Sequence, residues 1–436
     1  MAVKVSIILP SLNVRNYIKE AVRSAMEQTL KEIEILCIDA DSDDGTWEIL
    51  SGLTAADERI HLCRSDVRSY GYQVNMGIDM AQGEYIAILE TDDYADIHMY
   101  ERLYSEAVLY DCDYVKSDYT LYNTQSDGKR IFLRRNVLQA DNLYGKIIEP
   151  VKYSTVAVDD NYLWNGIYKK EFLIKSDIRL SETPGAAYQD IGFVYQTTVH
   201  AKKALYVKDS YYRYCTDRDG ASANSGKGLL YAYQEYTRLY RGIQAEAASD
   251  GRLRAFYCRM AKSFIYCCEG LEEGKIKIDE AKKAEYYAWF QQLLNEALRN
   301  GLVDSAVFHP QVWHKLEMLL VSESYYVEKC REHKKNIRDV MGKPGEHPIV
   351  IFGSGHYGGE ACRWLEEQAY RVECFVDNNQ ALWGTKVNNI IVISPEQSKV
   401  RFNMAKYLIA NEKHSKEMKA QLLNMGVEEK DICIYV

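Results

Sequence analysis

"VKVSIILPSLNVRNYIKEAVRSAMEQTLKEIEILCIDADSDDGT", residues 3–46, sets the fold class. "VKVSIILP" (3–10) and "IEILCID" (33–39) are apolar, β-branched runs, and each predicts a strand buried on both faces. Between them Ile18, Ala21, Val22, Ala25 and Met26 recur on one helical face, predicting a helix over Arg15 to Gln28. The alternation continues. "DDGTWEIL" (43–50) turns into a helix, "RIHLCR" (59–64) is a strand, Gly71 to Ala81 a short helix and "EYIAILE" (84–90) a fourth strand. Strands and helices in this order form an α/β parallel sheet covered on both faces, with ligands outside the carboxyl ends of the strands. Asp39 falls at one such end and Glu90, Asp92 and Asp93 at another.

The fourth strand runs into "AILETDDYAD" (87–96), where Glu90, Asp92, Asp93 and Asp96 follow one another without a lysine or arginine. Carboxylates this close repel, and desolvating them is costly unless a cation shares the site. A divalent cation with oxygen ligands, Mn²⁺ or Mg²⁺, answers that repulsion using one or two carboxylates plus substrate phosphates. Alternatively Asp92 or Asp93 caps the helix expected around His98 to Tyr110. Spacing alone leaves both open.

At 436 residues the chain is long enough for two or three domains, and 47% hydrophobic residues supply their cores. A net charge of -9 argues against broad nucleic-acid binding. "MAVKVSIILP" has too short an apolar run for a signal peptide, and no window reaches the length of a membrane span. Eleven scattered cysteines without a CxxC pair read as reduced thiols, so a soluble, cytoplasmic protein is expected. The 35 tyrosines against 10 phenylalanines suit cores and interfaces in which each hydroxyl finds a polar partner.

Residues 226–343 have helical spacing and little proline, and "MGKPGEHP" (341–348) is a linker. "IVIFGSGHYGGEACRWLEE" then restarts a strand, a glycine-rich turn and a helix, with "YRVECFVD" as the next strand. The expected domains are therefore residues 1–225, a helical segment 226–343 offering surface for a homo-oligomer, and a Rossmann-like unit 344–436. Gly353, Gly355 and Gly358, with Asp377 ending the next strand, fit a second nucleotide site or, equally, a tight turn with close helix packing.

"VSIILPSLNVRNYIKEAVRSAMEQTLKEIEILCIDADSDDGT" resembles the opening of glycosyltransferase family 2, inverting nucleotide-sugar transferases with the GT-A fold. The resemblance rests on Pro10, Ser11 and Asn13, then Ser24, Gln28 and Thr29, then Asp39, Asp41, Ser42, Asp44 and Gly45. "NMGIDMAQGEYIAILETDDY" continues it, and "LWNGIYKKEFL" (163–173) and "YQDIGF" (188–193) resemble two later blocks. It implies a UDP-sugar donor and a glycan or glycoprotein acceptor. Pro10, Ser11, Asn13, Asp39, Asp41, Arg68 and Asp92 would bind the donor. Glu90, Asp92 and Asp93 would hold the metal, and Asp190 would be the general base.

Departures from the pattern are Glu90 and Gln189, where aspartate and glutamate are usual, Ala40 in place of a second aspartate, and Val74 where many members carry arginine. Arg68 is the candidate to replace that arginine. The C-terminal segment, "GSGHYGG…CFVDNN…GTKV", resembles the small domain at the start of some sugar O-acyltransferases. An oxidoreductase built on this glycine turn and a sugar-binding scaffold without turnover are the rival functions.

Overall fold

The computed structural model describes residues 2–124, 128–216, 228–245 and 249–436; the boundary expected at 225 lies outside them. The chain divides into two units, Met1–Phe308 and His309–Val436.

In the first unit the strands are β1 (Val5–Ser11), β2 (Ile33–Asp39), β3 (Ile60–Arg64), β4 (Tyr85–Ile88), β5 (Tyr94–Ala95), β6 (Tyr114–Thr124), β7 (Arg130–Arg135), β8 (Gly166–Lys169) and β9 (Ala204–Cys215). They form one sheet in the order β3-β2-β1-β4-β8-β6-β9-β5, with β7 beside β6. The first four are parallel, β8 is antiparallel to both neighbours, and β6 and β9 are parallel. Every residue of β1, β2 and β4 is buried, as continuous apolar strands in a covered sheet require. The register sets Ser11 beside Asp39 and Ile8 beside Ile88, so the candidate residues emerge at one edge.

The helices of this unit are α1 (Ile18–Met26), α2 (Thr46–Thr54), α3 (Tyr70–Met80), α4 (Met99–Tyr110), α5 (Ser154–Asp159), α6 (Lys170–Lys175), α7 (Gln189–His200), α8 (Gly228–Ala245), α9 (Asp250–Glu272) and α10 (Glu280–Arg299). Helix α1 buries Ile18, Ala21, Val22 and Ala25, the expected face, but starts three residues later than the periodicity predicts. The cause is non-local. Asn13 sits at φ 54°. Its N–H donates to Ser42 Oγ and the Arg15 N–H to Asp44 Oδ2, so the second loop holds this segment out of the helix. Helix α3 begins where the Ser69 hydroxyl accepts from the Tyr72 N–H. Its Gly71 allows close approach, because a Cβ there would lie 1.9 Å from the Ser181 carbonyl oxygen. Helix α4 starts behind His98, with β5 between it and Asp93, so neither Asp92 nor Asp93 caps it.

The second unit begins with α11 (Pro310–Val321) and α12 (Glu323–Met341), both from the segment read as helical. Then come β10 (Ile349–Phe352), α13 (His356–Glu367), β11 (Val372–Val376), β12 (Lys386–Val387), β13 (Ile390–Ile393), α14 (Pro395–Arg401), β14 (Lys406–Ile409), α15 (Ser415–Asn424) and β15 (Ile432–Ile434). The sheet order β12-β13-β11-β10-β14-β15 is parallel except at β12. Gly353 takes φ 110°, and a Cβ on Gly358 would lie 2.0 Å from the Gly353 carbonyl oxygen. The glycine turn is thus a close helix–strand crossing. Among the described residues, no helix is long and apolar enough to cross a membrane.

Candidate functional site

At the carboxyl ends of β1 and β2, Asp39 is fully buried. It accepts from the Ser11 hydroxyl at 3.0 Å, the Ser42 N–H at 2.9 Å and the Ser42 hydroxyl at 2.6 Å. Asn13 Oδ1 accepts from the Asp43 N–H, locking the two loops together. Gln73 of α3, which the sequence reading missed, donates to the carbonyls of Ser11 and Ile38. Thr91 donates to the carbonyl of Pro10. Asp41 stands at φ 61° with its carbonyl accepting from Arg68 Nη2, which brings Arg68 to this loop. Val74 is fully buried in the core, and Arg64 as well as Arg68 reaches Asp41, with Arg64 Nη1 3.5 Å from its carboxylate.

The acidic strand end separates into two kinds of carboxylate. Asp93 is buried, and both its oxygens are taken by the protein: Oδ1 accepts from the Cys215 N–H at 2.7 Å and Oδ2 from the Tyr212 hydroxyl at 2.9 Å. Burial pushes its carboxyl well above the usual range, against the pull of those two donors. This geometry ties β9 to the strand end. Glu90 is half-buried and accepts from the Tyr70 hydroxyl, while its N–H donates to Tyr212 Oη. Asp92 lies beside it, 7% exposed.

Among the described residues no three His, Cys, Asp or Glu side chains converge as a protein metal cage. Glu90, Asp92 and Asp93 supply carboxylate oxygens of the hard kind that Mg²⁺ or Mn²⁺ uses when phosphates complete its shell.

Asp190 is the second residue of α7, behind Tyr188 at φ 67°, and no side chain caps this helix. Its Oδ1 accepts from the adjacent Ile191 N–H at 2.9 Å. The alternative of an N-cap aspartate is therefore not what the helix shows. Burial pushes its carboxyl up to about 6, opposed by the Ile191 N–H and by Arg259, and aided by Glu235. Gln189 holds the preceding turn, with Nε2 donating to Thr183 and Gly185 and Oε1 accepting from the Ala187 N–H. Gly185 in turn accepts from the Tyr70 N–H and donates to the Arg68 carbonyl. These links bring Asp190 to the Glu90 side of the site. Burial and Glu90 push the Tyr70 hydroxyl up, with a further contribution from Asp190.

Between them lies an aromatic stack. Trp164 packs against Tyr212 at 4.2 Å and Tyr162 at 4.6 Å between ring centroids, with Tyr214 beyond at 5.3 Å. Trp164 is 6% exposed, which makes it packing rather than a sugar platform. Tyr162 and Tyr214 are half-buried at its edges, and both sense the charge of Asp190.

In the second unit Asp377 Oδ2 accepts from the Ser354 N–H and hydroxyl, and Oδ1 from the Asn379 N–H. Gly353, Gly355 and Gly358 surround that serine turn, which Asp377 braces.

Residues 6–169 match the glycosyl transferase family 2 model, and residues 345–433 match the model for C2185-like, N-terminal domains. Glycosyltransferase GlyG of Streptococcus pneumoniae serotype 4 is 34% identical over 133 residues, covering 30% of this chain and 44% of that protein. The uncharacterized glycosyltransferase EpsJ of Bacillus subtilis is 27% identical over 269 residues, covering 61% of this chain and 71% of that protein. The chain thus spans less than half of GlyG. The crystal structure of S. aureus TarS 1–349 in complex with UDP-GlcNAc superposes with a TM-score of 0.56 at 17% identity, over 76% of this chain and 92% of that one. This likeness is one of fold, and it places the first unit's sheet in the GT-A class.

Proposed function

We propose that the protein is an inverting glycosyltransferase that moves a sugar from a UDP-sugar to a hydroxyl of a glycan or glycoprotein. One observation carries this: Tyr70, whose hydroxyl donates to Glu90, is tied through Gly185 and Gln189 to the turn that carries Asp190. The nucleotide lies across the loops of Pro10, Ser11, Asn13 and Asp39, with Asp41 and Arg68 on its flank. Glu90 and Asp92 would hold Mn²⁺ or Mg²⁺ beside the diphosphate. When bound, the cation neutralises the charge that develops on the departing diphosphate.

Asp190, ionised, takes the proton of the acceptor hydroxyl as its oxygen bonds to the anomeric carbon. The bond from that carbon to the UDP oxygen breaks with its electron pair leaving on UDP. Attack from the face opposite UDP inverts the anomeric centre.

The active form carries the carboxylate, so the transfer rate should rise through pH 6 and level off above it. Measuring kcat from pH 4.5 to 8.5 checks this. An acid limb near pH 4, where an unperturbed aspartate titrates, would remove Asp190 from the proton transfer.

A further inference from the structure

The turn that carries Asp190 is held from a second side, by the helices α8 and α9 that follow the family-matched residues. Tyr188, two residues before Asp190, stands at φ 67°, in the left-handed region that a bulky side chain rarely enters. Such a conformation persists only where its surroundings fix it. Here the ring does the fixing. The Tyr188 hydroxyl is hydrogen-bonded to Cys267 Sγ of α9 at 3.7 Å. It also lies against the first residue of α8: a Cβ on Gly228 would stand 2.6 Å from that hydroxyl and 3.4 Å from Cζ of the ring. The close approach of α8 to the ring therefore needs glycine at 228.

The backbone of Tyr188 reaches the carboxylate of Asp190 through one shared hydrogen. The Ile191 N–H donates both to the Tyr188 carbonyl at 3.2 Å and to Asp190 Oδ1 at 2.9 Å. A shift of Tyr188 therefore shifts the first turn of α7 and the carboxylate bound to it. Two residues beyond Asp190, α8 meets α7 again. A Cβ on Gly192 would stand 1.8 Å from Glu235 Oε1 and 2.5 Å from Arg238 Nη2, so the paired Glu235 and Arg238 rest directly on the α7 backbone.

We propose that Tyr188 is a positioning residue for Asp190: its ring, seated against Gly228 and Cys267, sets the left-handed turn and with it the direction in which the Asp190 carboxylate enters the site. Gln189 fastens the same turn to Thr183, Gly185 and Ala187 on the other side, so the base is held between the sheet domain and the helices. Helices α8 and α9 contribute to the transfer without touching substrate. This rests on Asp190 being the general base.

The test compares kcat, UDP affinity and melting temperature in the full chain for Tyr188→Gly, Tyr188→Phe, Gly228→Ala, Gly228→Ala combined with Tyr188→Phe, and Asp190→Asn. Glycine suits φ 67°, so Tyr188→Gly removes the ring without straining the turn. Its kcat should fall about 10²-fold, the cost of misplacing a reacting group by about 1 Å, with UDP affinity unchanged. Tyr188→Phe keeps the ring and should keep the parental rate. Gly228→Ala pushes on the hydroxyl and should lower kcat in the same way. Adding Tyr188→Phe removes the obstructing oxygen and leaves 3.4 Å to the ring, so the rate should return. Parental kcat in folded Tyr188→Gly or in Gly228→Ala, a loss in Gly228→Ala that Tyr188→Phe does not rescue, or UDP affinity falling as far as kcat overturns the proposal. If Tyr188→Gly does not fold, Gly228→Ala with and without Tyr188→Phe decides alone. Asp190→Asn separates the two levels. Full turnover in that variant removes the base itself, whereas lost turnover there with parental kcat in Tyr188→Gly removes only the role of Tyr188.

Discussion

Asp190→Asn is expected to lower the transfer rate by about 10²- to 10⁴-fold, the usual worth of a general base, while UDP affinity stays nearly unchanged. The asparagine keeps the size of the side chain and an oxygen to accept from the Ile191 N–H. It lacks only the ability to take a proton. The same substitution should change stability with a definite sign. In the folded chain the carboxyl titrates near 6, above its ordinary 3.8. The native state therefore holds the proton more tightly than the unfolded state, and stability falls as pH rises between those values. Asparagine carries no such penalty. The melting temperature of the variant relative to the parent should be near zero difference at pH 4 and a few degrees higher at pH 7.5, read by calorimetry. Near-normal transfer by a well-folded variant would contradict the base assignment.

Asp92 and Asp93, adjacent in sequence, should fail in different ways. Asp93→Ala strands two buried donors, the Cys215 N–H and the Tyr212 hydroxyl. Each such group costs about 1–3 kcal/mol, partly offset here because ionising Asp93 is itself unfavourable. The melting temperature should fall by roughly 5 to 10 °C. Asp92→Asn should change stability less and weaken UDP binding with Mn²⁺ about 10- to 100-fold, the loss of one charge-assisted contact. In EDTA the parent and Asp92→Asn should bind UDP equally poorly. Calorimetric titrations with and without Mn²⁺ check this, and equal UDP affinity for the parent in EDTA and in Mn²⁺ would remove the cation from donor binding.

That distinction was not legible in "ETDD". Asp93 differs from Asp92 because its partners arrive from β9, 119 and 122 residues later, and no local spacing encodes them. The sheet was legible because β1, β2 and β4 are continuous apolar runs, and a strand covered on both faces leaves that mark in its own residues. The start of α1 was not, since the loop around Ser42 and Asp44 takes up the N–H groups of Asn13 and Arg15. The tyrosine excess did carry a signal. Tyr70, Tyr162, Tyr212 and Tyr214 line or brace the candidate site, and the hydroxyls of Tyr70 and Tyr212 donate to Glu90 and Asp93, which phenylalanine could not do. Composition announces such rings without saying where they stand.

The most direct measurement is the anomeric configuration of the first transfer product, read by proton NMR on the glycosylated acceptor before any equilibration. From an α-linked UDP-sugar with Mn²⁺, direct displacement assisted by Asp190 predicts a β-linked product. An α-linked product would mean retention of configuration, and would contradict a single displacement with Asp190 as its base.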